Sequence, residues 1–367
     1  MTEPMSNSIS QTRTRRDPAV IHYHWVDLLR GIAALAVLVC HYRWFYAIGL
    51  GDWRTDVQLP LYSILWPFYE HGGIAVQLFW CLSGFVFAVA YDEKHVVARD
   101  FWIHRIARLY PLHLATLLII TGLESVSLGL YGRLTIEPNF DFQHFLAHLF
   151  FASNWFTMEP SFNGPIWSVS VEVLIYFAFL AYLLLVRPKR LTAIGLSLIG
   201  MAIAVATGNP IAQCLGLFFV GVTLATIRDG LSFWMTAAIA AMLILLAIAM
   251  SLVGEGRHVH TLMVYVGGPI AIALFAAADA RTTLPRRFRW IGLSTYSIYL
   301  LHMPVIIFFR VVFGNALTPF LPNPLSLLLY CSVVVGLAVP CYRRFELPAR
   351  EWIRARFARD VMVKSKP

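Results

Sequence analysis

The amino-acid sequence predicts an all-α, polytopic integral membrane protein with about ten transmembrane helices. Of the 367 residues, 59% are hydrophobic and 13% are charged, whereas soluble domains contain about 25% charged residues. Apolar runs long enough to cross a bilayer recur along the chain, and short charged segments separate them. We place the spans at 25–46, 73–91, 109–130, 168–186, 191–207, 211–227, 231–252, 261–279, 291–313 and 325–342.

The distribution of basic residues predicts the orientation of these spans. Most of the 29 Lys and Arg residues fall in the two terminal segments and in alternate loops, and the positive-inside rule places such segments in the cytoplasm. We therefore expect a disordered, basic cytoplasmic tail at 1–21, one membrane domain at 22–348 and a basic cytoplasmic tail at 349–367. The net charge of +9 follows from these segments and does not indicate a nucleic-acid partner.

Cysteine and histidine spacing gives no reason to expect a bound metal. The five cysteines lie within or at the ends of apolar segments, without metal-ligand spacing. His144 and His148 have the i, i+4 spacing of some metal sites, but no Glu follows the first His as the zinc-hydrolase motif requires. We expect neither a disulfide nor a metal cofactor.

The first span carries three ionisable residues, Asp27, Arg30 and His41. Such side chains are costly in a membrane helix unless they face protein, water or a substrate. At about 100° per residue, Arg30 and His41 differ by about 20° around the helix, and at about 1.5 Å per residue they lie about 16 Å apart along its axis. This arrangement suits a cation that holds one end of a long ligand while a base acts at the other. The alternative is an Arg that reaches the lipid headgroups and a His that is hydrogen-bonded in the core.

Polar residues also occur in and after the second span. Ser83 lies near the middle of that span, where a small residue also permits close helix packing. Arg105 and Arg108 follow, three residues apart and so on one helix face. They are either headgroup anchors or a clamp for phosphate. We expect Pro111 to interrupt or bend this helix.

The fourth and ninth spans carry further polar groups. Glu172 lies about one turn into the fourth span, with Ser168 on the same face, and a carboxylate among apolar side chains needs a partner or a proton. The ninth span places Tyr299 and His302 in the membrane, and Pro304 is expected to break that helix locally. Spans five to eight carry little charge and are interpreted as scaffold.

Together these segments resemble the acyltransferase-3 family of multi-span membrane acyltransferases, over about residues 27–348. Members of that family modify cell-surface polysaccharides, lipopolysaccharide and some small molecules. The family pattern in the first helix is matched by DLLRGIAALAVLVCH, with Arg and His eleven positions apart. The other matching motifs, in order, are the SGF from Ser83, the R-x-x-R of Arg105 and Arg108 before Pro111, the W-S-x-x-x-E of Trp167, Ser168 and Glu172, and the Y-L-x-H of Tyr299 and His302.

The resemblance implies an enzyme, a membrane-bound O-acyltransferase and most specifically an O-acetyltransferase. It implies acyl-CoA, with acetyl-CoA favoured, as a donor bound from the cytoplasm. The implied acceptor is a hydroxyl of a cell-surface or exported polysaccharide or glycolipid. It also implies a multi-pass protein of the bacterial inner (plasma) membrane, in contact with membrane lipids. No pattern in the sequence specifies an oligomeric state.

Residue roles follow from the resemblance and from acyl-transfer chemistry. Transfer to a hydroxyl needs a base with a pKa near neutrality, which histidine has, so we expect His41 to be the general base. Glu172 is the second expected catalytic residue, orienting the imidazole or stabilising its protonated form. Ser83 is a candidate donor to the developing oxyanion. The expected substrate-binding residues are Asp27, Arg30, Ser83, Arg105, Arg108, Trp167, Ser168, Tyr299 and His302.

Two other functions are compatible with the pattern. A polytopic transporter or flippase of a glycan or acyl intermediate would also place ionisable residues in the membrane. An acyltransferase could instead act on a small-molecule or lipid acceptor. From the depth of each residue in its span, we expect His41, Ser83, Glu172 and His302 to line one cavity.

Overall fold

The protein folds as a helical bundle, in agreement with the predicted class. The computed structural model describes residues 23–46, 58–91, 96–156, 159–186, 189–230, 232–252, 256–279, 281–282 and 289–358, and no β-strand is formed among them. The predicted N-terminal tail, 1–21, lies outside these residues. The helices are α1 His24–His41, α2 Tyr62–His71, α3 Ile74–Tyr91, α4 Ala98–Tyr131, α5 Phe142–Leu149, α6 Ile166–Leu185, α7 Lys189–Thr207, α8 Pro210–Ile227, α9 Phe233–Leu252, α10 Gly256–Leu262, α11 Gly268–Asp279, α12 Arg289–Leu293, α13 Thr295–Phe313, α14 Pro324–Cys341 and α15 Leu347–Phe357.

Within the described residues, nine helical segments are long and apolar enough to cross a membrane. They correspond to nine of the ten predicted spans. The remaining prediction, 231–252, coincides with α9, whose sequence carries no charged residue. The structure therefore supports an integral membrane protein with about the predicted number of spans.

Two prolines lie inside continuous helices, although Pro111 was expected to interrupt or bend its helix and Pro304 to break its helix locally. Pro111 is within α4, which begins at Ala98 rather than near residue 109, and Pro304 is within α13. A helical proline leaves the carbonyl four residues earlier without its donor. For Pro304 that carbonyl belongs to Leu300, and the Asn163 side-chain amide donates to it at 3.3 Å. The predicted break is wrong because a neighbouring segment supplies the missing hydrogen bond.

Small residues set the closest helix approaches. Gly84 of α3 packs against the backbone carbonyl of Phe218 in α8, and Gly221 of α8 packs against that of Cys81 in α3. The aromatic side chains of α3, α6 and α8 fill the space around this contact. A second apolar core joins α1, α4, α13 and α14. The first helix therefore lies between α3 on one side and α13 and α14 on the other.

The end of the chain packs against the bundle. After α14 the helix continues through one π-helical turn, Tyr342–Glu346, into α15, which packs against α4. The boundary predicted at residue 348 thus falls at the start of a helix. The first part of the predicted tail belongs to the folded structure.

Candidate active site

A cavity of about 330 Å³ opens between α1, α3, α4, α6, α13 and α15. Apolar and aromatic side chains of α3 form one wall, and polar groups cover much of the remainder. Its polar lining residues are Arg30, Ser83, His104, Arg105, Arg108, Ser168, Glu172, Tyr176, Thr295, Tyr296, Tyr299, Arg350 and Arg354.

The cavity collects most of the predicted site residues but not all of them. Asp27 lies behind Arg30, and Trp167 packs edge-on against the cavity residue Trp80, with ring centroids 5.7 Å apart. His41 and His302 are not among its lining residues. The expectation of one cavity lined by His41, Ser83, Glu172 and His302 is therefore not met. Of these four residues, only Ser83 and Glu172 are among the lining residues. Depth along each helix placed the four residues at similar levels, but it does not determine which way each side chain turns.

Arg30 is held at the cavity by the helix that carries it. Its guanidinium forms an ion pair with Asp27, one turn earlier, at 3.2 Å. Asp27 is buried because the short helix α12 packs against this face of α1: Gly292 contacts Asp27, and Ile291 contacts Gly31. A larger residue at either glycine would push α12 away. The pair therefore fixes the direction of Arg30.

Arg105 and Arg108 have different surroundings although they share a face of α4. The Arg108 guanidinium forms an ion pair with the fully buried Glu346, which also accepts a hydrogen bond from Ser297 at 2.7 Å. The Arg105 guanidinium lies 4.2 Å from the centre of the Phe87 ring and forms no ion pair with a carboxylate in the described chain. The positive charge of Arg105 is thus more available to a ligand.

Glu172 contributes a carboxylate to the cavity. It accepts a hydrogen bond from the Tyr176 hydroxyl at 2.7 Å and another from Ser83. Its charge also interacts with those of Arg105 and Arg30. The contacts of this carboxylate are therefore with the cavity wall. The partner of the His41 ring is a different residue.

That partner is His302. Nδ1 of His41 and Nε2 of His302 are 2.8 Å apart, and the two rings are tilted by 34°. His302 is fully buried, and His41 is partly buried beside Trp44. In a neutral pair one ring donates the shared hydrogen bond and the other accepts it. When His41 donates, its Nε2 keeps a free lone pair and is able to accept a proton.

Tyr299 connects the cavity with the histidine pair. It lines the cavity, and its ring lies 5.8 Å from that of His302, one turn further along α13. Its hydroxyl is 2.7 Å from the Ser168 hydroxyl and 3.0 Å from the Pro165 carbonyl oxygen. These bonds hold the start of α6 against α13.

The cavity residues that sequence analysis missed include two arginines, Arg350 and Arg354. Both were assigned to the C-terminal tail because basic residues are frequent there. Their i, i+4 spacing was a usable signal, since it places both on one face of a helix. The helix α15 turns that face toward the cavity.

A buried carboxyl group in the segment between α4 and α5 was also missed. Glu137 is 5% exposed, and its Oε1 atom packs against Gly164 without a hydrogen-bond partner. Burial, with a smaller contribution from the nearby Glu124, raises the pKa of Glu137 to about 8. The residue lies in a turn-rich polar segment, where local sequence carries no sign of burial.

Glu137 predicts a pH dependence of stability. Its pKa is raised on folding from 4.5 to about 8, so the folded state retains a proton that the unfolded chain releases. The stability present below pH 4.5 is therefore lost as pH rises to about 8. We expect Glu137→Gln, which cannot ionise, to reduce the loss between pH 5 and 8 by at least about 1.4 kcal/mol, the free energy of one pKa unit. Thermal unfolding of detergent-solubilised protein at several pH values measures it.

The matched control is Glu351→Gln, because the Glu351 side chain is exposed and forms no ion pair in the described chain. This variant should follow the wild-type pH dependence. Parallel curves for wild type and Glu137→Gln would contradict the prediction.

The fold defines a multi-span membrane protein, and comparison with known proteins assigns its family. The family model described as "Acyltransferase domain" (Acyl_transf_3) matches residues 23–343. This chain belongs to that family, as the motifs predicted. No solved structure matches it.

Several curated proteins are similar to parts of the chain. Acyltransferase MdmB of Streptomyces mycarofaciens is 33% identical over 191 residues, which are 51% of this chain and 46% of that protein. Exopolysaccharide production protein ExoZ of Rhizobium meliloti is 30% identical over 141 residues, 36% of this chain and 41% of that protein. "Putative O-acetyltransferase SACOL0978" of Staphylococcus aureus is 24% identical over 183 residues, 45% of this chain and 26% of that protein. The alignments span less than half the length of each of these relatives.

Proposed function

We propose that this protein is an O-acyltransferase that moves an acyl group, preferentially acetyl, from acyl-CoA to a hydroxyl of an exported or cell-surface polysaccharide. The observation that carries the proposal is the cavity, which has arginines from three helices and lies next to the histidine pair. A CoA thioester has phosphates at one end and the reacting carbonyl at the other. Guanidinium groups bind phosphate through charge-assisted, often bidentate hydrogen bonds.

The two ends of the cavity differ in the way that the two ends of this ligand require. We propose that the phosphates bind Arg30, Arg105 and Arg108, and that the pantetheine arm extends toward Ser168 and Tyr299. The thioester would then approach the His41–His302 pair past Tyr299. This direction agrees with the sequence estimate of about 16 Å between Arg30 and His41 along the helix axis.

His41 is the proposed general base. Its Nε2 accepts the proton of the acceptor hydroxyl while the hydroxyl oxygen attacks the thioester carbonyl carbon. The tetrahedral species then collapses with cleavage of the C–S bond, and the leaving thiolate takes the proton back from the imidazolium. His302 acts through His41, because its hydrogen bond to Nδ1 holds the ring and its tautomer.

Glu172 remains a proposed catalytic residue, with a role that its contacts modify. Since it receives hydrogen bonds from Tyr176 and Ser83, we propose that it orients the Ser83 hydroxyl and balances the charge of Arg105 and Arg30. A hydroxyl has one proton to donate. While Ser83 donates it to Glu172, Ser83 is not available to the oxyanion.

We further propose that the arginine end of the cavity faces the cytoplasm. Arg105, Arg108 and α15 lie in segments that the positive-inside rule places there, and acyl-CoA is a cytoplasmic metabolite. The name of the Rhizobium meliloti relative, which refers to exopolysaccharide production, supports a polysaccharide acceptor. An inner-membrane location follows from the same reasoning.

Acetyl transfer from labelled acetyl-CoA by the purified protein tests the enzyme directly. Label released as acetate or transferred to a glycan supports the proposal. Mass spectrometry of surface glycans from a deletion strain identifies the acceptor. If the surface glycans of the deletion strain are unchanged and the label appears in a small molecule or lipid, the acceptor belongs to that class and is not a polysaccharide. Transport of a glycan without acyl transfer would indicate a flippase.

Arg105 is a better test of donor binding than Arg108, because within the described chain it forms no direct ion pair with a carboxylate, whereas Arg108 pairs with Glu346. We expect Arg105→Ala to weaken acyl-CoA binding by about tenfold or more, the usual effect of losing a hydrogen bond to a charged group. High salt should bring wild-type affinity toward that of the variant. Binding measured by isothermal titration across a salt series provides the comparison.

Two further variants make the result specific. Arg190→Ala changes an exposed arginine that is not among the cavity-lining residues and should leave the affinity unchanged. Arg108→Ala should also lower stability, because it leaves Glu346 buried without its ion-pair partner. Equal dissociation constants for wild type and Arg105→Ala at every salt concentration would remove Arg105 from the donor site.

A further inference from the structure

The helix α15 places two arginines at the end of the cavity that also carries Arg105 and Arg108. Arg350 and Arg354 are four residues apart and share a helix face. Both line the cavity, where Arg350 is half-buried and Arg354 is exposed. They lie beyond residue 343, where the family match ends. The family assignment therefore says nothing about them.

The arginines at this end of the cavity outnumber the carboxylates that the described part of the chain places beside them. Arg30 and Arg108 form ion pairs with Asp27 and Glu346. Arg105, Arg350 and Arg354 form none with a carboxylate in the described chain.

The unpaired guanidiniums are also close to other cations. Arg350 lies near enough to Arg108 for their charges to interact, and Arg354 lies beside His104 together with Arg105. Cations held this close repel one another unless an anion lies between them. The cluster is thus suited to more negative charge than a single phosphate diester carries.

We infer that Arg350 and Arg354 of α15 form a subsite for the 3′-phosphate of CoA. This inference rests on the proposed acyl-CoA donor. With the thioester directed past Tyr299 toward the histidine pair, the adenosine of CoA lies at the opposite, arginine-rich end of the cavity, where α15 lies. The 3′-phosphate is a monoester on that nucleoside, with about the charge of a phosphorylated side chain. Two guanidiniums four residues apart on one helix face match such a group.

The subsite has a consequence for donor choice. A donor that carries the pantetheine arm without the 3′-phosphate, such as 3′-dephospho-CoA, would lose the contacts with α15 and keep those with Arg105 and Arg108. The protein should therefore bind CoA more tightly than 3′-dephospho-CoA. That preference should depend on α15 alone.

The test measures the dissociation constants of CoA and 3′-dephospho-CoA for full-length protein in nanodiscs of zwitterionic lipid. We expect wild type to prefer CoA by about tenfold or more. Arg350→Ala combined with Arg354→Ala should reduce the preference to within about twofold, through loss of CoA affinity at constant 3′-dephospho-CoA affinity. Arg354→Glu, at an exposed position that does not threaten folding, should reduce it as well. Arg356→Ala, on the same helix but outside the cavity lining, should not.

A lipid headgroup phosphate is the other source of the same chemistry, and a second arm distinguishes it. The measurements are repeated in nanodiscs that contain phosphatidylglycerol. A preference for CoA that is unchanged by the α15 variants, or variants that alter only the effect of anionic lipid, would overturn the inference. The inference would also be overturned if the α15 variants weakened the binding of CoA and of 3′-dephospho-CoA equally. If CoA binds but the preference for it does not depend on Arg350 and Arg354, the subsite is ruled out and the proposed donor is retained. If wild type binds neither nucleotide, both the proposed donor and the subsite are ruled out.

Discussion

Replacing His41 with alanine is expected to lower turnover by roughly 10² to 10⁴-fold while acyl-CoA affinity stays nearly unchanged. The first part follows because removal of a general base typically costs that factor. The second follows because His41 does not line the cavity that carries the arginines. Single-turnover acetyl transfer and CoA binding, measured on the same preparation, separate the two effects.

His302 gives the matched comparison. It touches His41 and is fully buried, so we regard it as a positioning residue. His302→Gln retains a side chain able to hydrogen-bond with His41 and should cost less activity than His41→Ala. In wild type, activity should rise with pH through one apparent pKa that belongs to the pair, and then plateau. In His302→Gln, that apparent pKa should shift, which a purely structural role would not cause.

One outcome would change the assignment. If His41→Ala retains turnover within about threefold of wild type, the loss is too small for general-base catalysis. His302 would then be the next candidate, and the proton would be transferred from the other side of the pair.

Gly84→Ala is expected to have the largest effect on folding. A Cβ at this position would overlap the backbone carbonyl of Phe218 in α8, and backbone atoms have no rotamer by which to move aside. Overpacking usually costs about 1–3 kcal/mol, and this contact lies at the closest approach of α3 and α8. Because Ser83 is the neighbouring residue, activity should fall in the fraction that still folds. The monodisperse yield and the thermal midpoint in detergent measure the first effect.

The control for this substitution is Gly122→Ala in α4. Nothing lies within 4 Å of a Cβ at Gly122, and alanine is favoured over glycine in a helix by up to about 1 kcal/mol. This variant should be as stable as wild type or more so. A Gly84→Ala protein with wild-type yield and midpoint would show that the helices separate at little cost.

The membrane spans were predictable because they depend on local composition. A bilayer requires about 20 apolar residues in sequence, and a run such as Ile166–Leu185 fulfils this wherever its neighbours lie. The extent of α4 was not predictable in the same way. Its first turns are charged, and they remain helical because they pack against α15, which is far away in sequence.

The site was predictable only in part. The ordered motifs identified Arg30, Ser83, Arg105 and Glu172, and the structure brings all four to one cavity. Motif order does not state which groups touch, and the expected contact of Glu172 with His41 is replaced by the contacts of Glu172 with Ser83 and Tyr176. The roles proposed for these residues await the measurements above.

By itself the sequence determined the helical class, the approximate spans and the family, since hydropathy and motif spacing are properties of contiguous residues. Tertiary structure decided the rest. The His41–His302 hydrogen bond joins residues 261 positions apart, and Arg350 reaches the cavity because α15 folds back onto α4. Both depend on how helix surfaces fit together, and glycines such as Gly84 and Gly292 set that fit by allowing backbones to approach. Such contacts are specified by the shapes of many side chains at once, so no local segment contains them.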